Sequence, residues 1–368
     1  MVERVRRQHV VSRFYLNGFA SDTGRVRRVS LPGESEHVLS TGDAAVIKDF
    51  YTITLPDGTQ SDVFEKVFGE IEGPASEALR KLLSGTWPIT GDHRVALATW
   101  IALQHLRAED VRASQGSMNA QFIRLIVGTA GKEALRELIE GAESRDIPDA
   151  ELDHEWEDIT KPGGPDLVPD VKQHIGILMD LLPRMAAYLH DCHWTVFRFN
   201  RRSIVTSDHP VNLVPGDDHP EWSGVGIATA ELFLIPLSRR AALTIQPHDR
   251  FPSLPPGLEK VPDFQHDGTT QVADSINQET VLGARKYVHH HPEDSPLGRL
   301  HLPDPDRSIE PSMSDASDLI REKGLFSDMT DEQREAWGRM SPASGERRGV
   351  SIKDLPWPIP GRRQVDKM

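Results

Sequence analysis

The hydrophobic pattern of this 368-residue chain changes period along its length, and that limits the folds open to it. Between residues 61 and 190 apolar side chains recur at helical spacing. Val63, Phe64, Val67, Phe68 and Ile71 form one stripe, and Val95, Ala98, Ile101, Ala102 and Leu106 form another. Between 193 and 246 the period drops to two. His193–Asn200 alternates, the Arg201-Arg202 turn leads into Ser203–Thr206, and Leu232–Leu237 and Ala241–Ile245 flank a Ser-Arg-Arg turn. Residues 269–288 return to helical spacing. From about His289, Pro, Asp, Ser, Glu and Arg dominate and apolar residues thin out.

These segments predict an α+β fold: a mainly helical domain with a small antiparallel sheet, plus a poorly structured C-terminal tail. One domain is expected over 1–288. It comprises a mixed N-terminal module (1–60), a helical stretch (61–190), the sheet (193–246) and a closing helix (269–288). Gly73-Pro74 predicts a break in the first long helix, with a second segment over 74–84. Another helix is expected over 118–140, and the acidic, Pro- and Gly-rich stretch 141–170 reads as a loop. Pro183 marks a kink or break in the 171–190 helix. Within the tail (289–368), Thr330-Asp331-Glu332-Gln333 is a capping-box pattern that predicts a short helix near 330–340, suited to docking on a protein partner.

Charge and cysteine usage exclude several function classes. A net charge of −14 argues against general coating of nucleic acid or an anionic membrane. The one cysteine, Cys192, rules out an intrachain disulfide and multi-cysteine zinc motifs, and it fits a reducing compartment. No apolar run reaches the length of a transmembrane span. A soluble cytoplasmic protein is therefore expected. Against the acidic background, residues 1–30 carry seven arginines and only Glu3 and Asp22 as acids. That excess predicts an anionic small molecule or nucleic-acid fragment near the N-terminal module, or docking on an acidic surface.

The string Gln8-His9-Val10-Val11-Ser12-Arg13-Phe14-Tyr15-Leu16-Asn17-Gly18-Phe19-Ala20 resembles the opening signature of family 4238 of the domains of unknown function. Further pieces follow in that family's order: Lys48-Asp49-Phe50-Tyr51, Glu65-Lys66, Ile71-Glu72-Gly73, Gln104 through Arg107, Thr206-Ser207-Asp208-His209-Pro210-Val211, and Asn277 to Tyr287. The resemblance spans residues 8–288. Ser12 stands where the family usually has Pro, and Val10 where an aromatic residue is common. The resemblance implies no established activity.

Several of these residues are candidates for chemistry. Glu65 and Glu72 lie two helical turns apart on nearly one face. Such a pair can ligate a hard divalent metal such as Mg²⁺, with Asp208 as a third ligand, or serve as acid and base; the alternative is two solvated edge residues. Arg107, three residues after Gln104 on an apolar helix, requires a carboxylate partner, Glu65 or Glu72 being the natural ones. It is either a helix–helix salt bridge or a two-pronged grip on an anion. Neighbouring cations favour a neutral His9, as a base or a metal ligand requires. Ser207-Asp208-His209-Pro210 is a strong turn whose adjacent side chains diverge, so a serine triad is excluded, as is a Gly-x-Ser-x-Gly elbow. His190-Asp191-Cys192-His193 has no second ligand pair at zinc spacing, and His289-His290-His291, at the helix-to-tail boundary, reads as an adventitious transition-metal binder and not a site.

Two readings follow. In one, the chain is a metal-assisted hydrolase acting on a phosphodiester or other anionic substrate. His9, Glu65, Glu72, Arg107 and Asp208 are then catalytic, and Arg13, Tyr51, Gln104 and Ser207 bind substrate. In the other, it is a non-catalytic interaction or regulatory protein, such as a component of a bacterial conflict or stress system, and the same polar residues are a structural network. Carboxylates left unpaired in an open pocket favour the first; a group closed on itself favours the second.

Overall fold

A computed structural model of the chain describes residues 6–305, apart from 56–57, 110, 114, 117–126, 128–129, 162–170, 218, 220–224 and 251–259. The expected helix near 330–340 lies outside the described residues. The chain divides into two compact units. The first takes in residues 1–112, 170–217 and 225–308, and the second contains residues 113–169.

The first unit opens with β1 (Arg7–His9) and the short helix α1 (Arg13–Leu16), then β2 (Arg25–Ser30), β3 (Ser35–Ser40), β4 (Val46–Lys48), β5 (Ile53–Thr54) and β6 (Gln60–Ser61). Helices α2 (Val63–Leu83) and α3 (Gly91–Leu106) follow. The predicted break at Gly73-Pro74 does not occur. Phe68, Ala75, Leu79 and Leu82 keep one buried stripe in phase across Pro74. Packing of that stripe offsets the lost backbone hydrogen bond, which costs about 3 kcal/mol in an isolated helix.

The second unit holds α4 (Lys132–Glu143) and α5 (Asp149–Thr160), joined through a cluster of Leu135, Ile147, Leu152 and Ile159. The reading of 141–170 as a loop is thus corrected over α5. Leu152, Trp156 and Ile159 have helical spacing, and Asp149 and Glu151 complement the positive end of the helix dipole in its first turn. Much of the helix expected over 118–140 lies outside the described residues; its described end is α4.

Back in the first unit, α6 (Val171–Asp191) runs unbroken through Pro183, again because Leu178, Leu182, Met185 and Leu189 share one buried face. α3 packs against both α2 and α6 and is buried almost all round from Leu97 to Leu106. The strands β7 (His193–Arg198), β8 (Thr206–Ser207), β9 (Asn212–Val214), β10 (Leu232–Ser238), β11 (Ala241–Gln246) and β12 (Phe264–Asp267) lead to α7 (Thr270–Gly283) and β13 (Tyr287–His290).

Among the described residues four sheets form where one was expected: two-stranded pairs β1-β4 and β5-β6, and two larger sheets. The larger has the order β12-β7-β11-β10-β9 and is antiparallel except for β12, which runs parallel to β7. The other has the order β3-β2-β13-β8 and joins the N-terminal strands to the end of the described chain. The expected return of His193–Asn200 into Ser203–Thr206 does not form a hairpin. Buried Asn277 on α7 accepts the Val205 N–H and donates to the Ser203 carbonyl, which holds this segment on the helix. Thr206 and Ser207 then pair with β13.

The closing helix ends at Gly283 rather than 288, and Tyr287–His290 is a strand. The tail accordingly begins later than residue 289. Leu297, Leu300 and Leu302 still pack on Leu31, Val205, Val281 and Ala284.

Candidate functional site

The family-like motifs of the N-terminal segment, α2 and α3 meet at a polar knot. Trp100, Gln104 and Arg107 lie at i, i+4 and i+7 near the end of α3 and so share one face. Ser12, just ahead of α1, sits at the centre. Its hydroxyl accepts hydrogen bonds from Trp100 Nε1 at 2.8 Å and Arg107 Nη2 at 2.6 Å, and donates to Glu72 Oε1 at 2.8 Å. Gln104 Oε1 accepts from Arg107 Nη2 at 2.8 Å and from the Ser12 amide at 3.2 Å, and Gln104 Nε2 donates to the Val10 carbonyl at 2.7 Å.

Arg107 is the best-shielded cation of the group. Its side chain is 1% exposed and its Nη1 lies 2.9 Å from Glu72 Oε1, on a carboxylate that is 24% exposed. The guanidinium carbon also sits 5.8 Å from the Phe68 ring centre. The partner carboxylate expected for Arg107 is therefore Glu72. Tyr51, fully buried, donates its phenol to the Arg107 carbonyl at 3.0 Å, and its amide is capped by the Gln8 side chain.

Glu65 and His9 flank the knot. The Glu65 carboxylate accepts the His9 backbone N–H, yet partial burial still raises its pKa above the usual carboxylate range. Burial lowers the pKa of half-buried His9, with Glu72 opposing and Arg107 and Arg13 reinforcing that shift. The imidazole is thus neutral near pH 7, as the local cations predict, although burial is the larger cause. His9 Nε2 is shielded from solvent and has no hydrogen-bond partner. Arg13 is exposed at the start of α1.

Asp208 and Ser207 take other roles. The Asp208 carboxylate accepts the backbone N–H groups of Arg285 at 2.9 Å, Lys286 at 2.8 Å and Tyr287 at 3.1 Å, fixing the bend between α7 and β13. Its burial raises its pKa, and those three amides lower it. Ser207 is fully buried and closes its own turn, accepting from the His209 amide and donating to the His209 carbonyl. The structure therefore brings together His9, Glu65, Glu72, Gln104, Arg107 and Tyr51. It does not join Asp208 or Ser207 to them through any hydrogen bond or ion pair.

Among the described residues no three His, Cys, Asp or Glu side chains are grouped to hold a metal ion, so Glu65, Glu72 and Asp208 do not fit a divalent cation as a set. At the His190–His193 motif, the Cys192 thiol donates to the Tyr188 carbonyl and burial pushes its pKa up to about 12. Arg94 takes the carbonyls of His190 and Cys192, so that motif is a helix-to-strand junction.

A family model described as a protein of unknown function, DUF4238, matches residues 7–294. The chain belongs to the DUF4238 family. The match runs from β1 through β13 and takes in every residue of the DUF4238 knot described above. No curated protein and no solved structure matches this DUF4238 chain.

Two members of the knot, Ser12 and Trp100, are not among the residues singled out from the sequence. Ser12 stands out there only as a departure from the family's usual proline. The i, i+4, i+7 spacing of Trp100, Gln104 and Arg107 is the signal that points to Trp100.

Proposed function

We propose that this chain is a non-catalytic interaction or regulatory protein, such as a component of a bacterial conflict or stress system, and that its motif residues fix the fold. The observation that carries this reading is the shielding of Arg107 and the engagement of both its terminal nitrogens. At 1% exposure its Nη1 is held by Glu72 and its Nη2 by Ser12 and Gln104, and its Nε, though unpartnered, is shielded from solvent, so the guanidinium presents no open face to an anion. Tyr51 and Gln104 are likewise buried and engaged internally. Buried networks of this kind hold elements in one arrangement. A lone, buried Cys192 suits a reducing compartment such as the cytoplasm. Among the described residues no helix is long and apolar enough to cross a membrane.

The test is a melting-temperature screen of the full chain against divalent metals and nucleotides, run on wild type, Glu72→Gln and Arg107→Met. A ligand that binds the native state raises the melting temperature by mass action. The expected result is a lower melting point in both variants with no ligand-dependent rise tied to either residue. A rise in wild type that disappears in Glu72→Gln would overturn the reading.

A second reading, a hydrolase acting on a phosphodiester or other anionic substrate, draws support from His9 and Glu65. Burial lowers the pKa of His9 and raises that of Glu65, so the two move toward each other, which eases proton transfer between neighbouring groups. Exposed Arg13 stands nearby as a candidate anion contact. Its test is turnover of a generic phosphodiester, with and without Mg²⁺ or Mn²⁺. Activity lost in His9→Gln, with the fold retained, would establish it over the first.

A further inference from the structure

His289 occupies the middle of the four-stranded sheet. Its register partners are Arg28 on β2 and Thr206 on β8. Directly opposed residues of an antiparallel pair share a face, so the imidazole lies between these two side chains. The Thr206 hydroxyl is 2.6 Å from the Tyr15 phenol and is engaged there. His289 itself is 0% exposed, and both its ring nitrogens are buried without a hydrogen-bond partner. Arg28 Nε is buried without a partner as well, and the Arg28 guanidinium carbon lies 4.5 Å from the Tyr287 ring centre.

The charges around this ring are one-sided. Besides burial, Arg28 and His290 act on His289, and both disfavour a proton on it. Carboxylates act on the next residue instead: Asp294 and Glu36 bear on His290, whose side chain alternates to the opposite face. A neutral imidazole carries one N–H, and Arg28 Nε adds another beside a full positive charge. Unpartnered buried donors are costly and call for an acceptor.

We propose that Arg28 and His289 form a binding site for a small inorganic anion of halide size. The anion accepts from both N–H groups and balances Arg28, while the complete burial of His289 limits the ligand to a compact ion. This site is independent of the knot around Arg107.

The experiment uses the full chain with chloride as the probe. Melting temperatures are measured in sodium chloride and in sodium gluconate at equal ionic strength, for wild type, Arg28→Met and His289→Phe. Wild type is expected to melt higher in chloride, with the difference growing as chloride rises, and both variants are expected to lose that difference. Equal melting in the two salts for wild type, or a chloride increment unchanged in Arg28→Met, would rule the site out. Should His289→Phe fail to fold, Arg28→Met, at a partly exposed position, decides the matter.

Discussion

The Ser12 hydroxyl and the Arg107 guanidinium, 95 positions apart in sequence, meet at 2.6 Å, and this contact ties the N-terminal segment to the end of α3. Ser12 also serves Trp100 and Glu72, so one small side chain satisfies three others. Ser12→Ala should leave the Trp100 and Arg107 donors short of an acceptor. A loss of about 1–3 kcal/mol is expected, read from the urea midpoint at unchanged slope.

Arg107→Met should cost more, about 3–5 kcal/mol, because Glu72 is left partly buried without its cation. Replacing both, Glu72→Leu with Arg107→Met, should recover part of the loss. A double-mutant cycle measures this directly. Strictly additive losses would show that the pair does not act as a unit.

Asp208→Asn should destabilise by about 1–3 kcal/mol. An amide keeps one acceptor oxygen and turns an N–H₂ group toward backbone donors that the carboxylate now accepts. Hydrogen exchange should speed up at Arg285, Lys286 and Tyr287 ahead of the rest of the domain. A variant with wild-type exchange at those amides would show that Asp208 does not hold the bend.

Stability should fall as the solution is acidified. Burial holds His289 at a pKa of about 3 and His174 at about 4, both below the ordinary value of 6.5. Between those values the unfolded chain binds more protons than the folded one, so these groups' contribution is complete above about pH 6.5 and is lost as pH drops through the window. For His289 the loss by about pH 5 is on the order of 2 kcal/mol. Glu65 and Asp208, with raised values, act in the opposite sense as they approach neutrality. Melting curves from pH 7 to pH 5 in gluconate should be steeper in pH for wild type than for His289→Phe. Equal slopes would refute the assignment.

What the sequence reveals follows from which signals are local. Helical spacing around Phe68 and around Leu178 places α2 and α6, and alternation in Leu232–Leu237 and Ala241–Ile245 places the β10–β11 hairpin, because each pattern is complete within a few residues. Pro74 and Pro183 mislead for the converse reason: the packing that overrides them comes from elsewhere in the fold. The four-stranded sheet is hidden because its strands come from residues 25–40, 206–207 and 287–290 and no local period links them. In the knot, the pairing of Arg107 with a carboxylate is legible from the cost of burying a bare guanidinium. The choice of Glu72 over Glu65, and the role of Ser12, depend on where α1 lands. Asp208 reads from the sequence as a candidate ligand in a turn motif, but its amide partners lie 77 to 79 positions later.

The pairing of β2 with β13 sets the order in which this protein can be completed. Val29 meets Val288, so the edge of β2 that β3 leaves free waits for roughly 260 further residues. At about 5–20 residues per second, that is a delay of about 13–50 s. Throughout it, the Arg28 edge of the nascent hairpin stands open to chaperones and to neighbouring chains. Any truncation upstream of Tyr287 would make that exposure permanent.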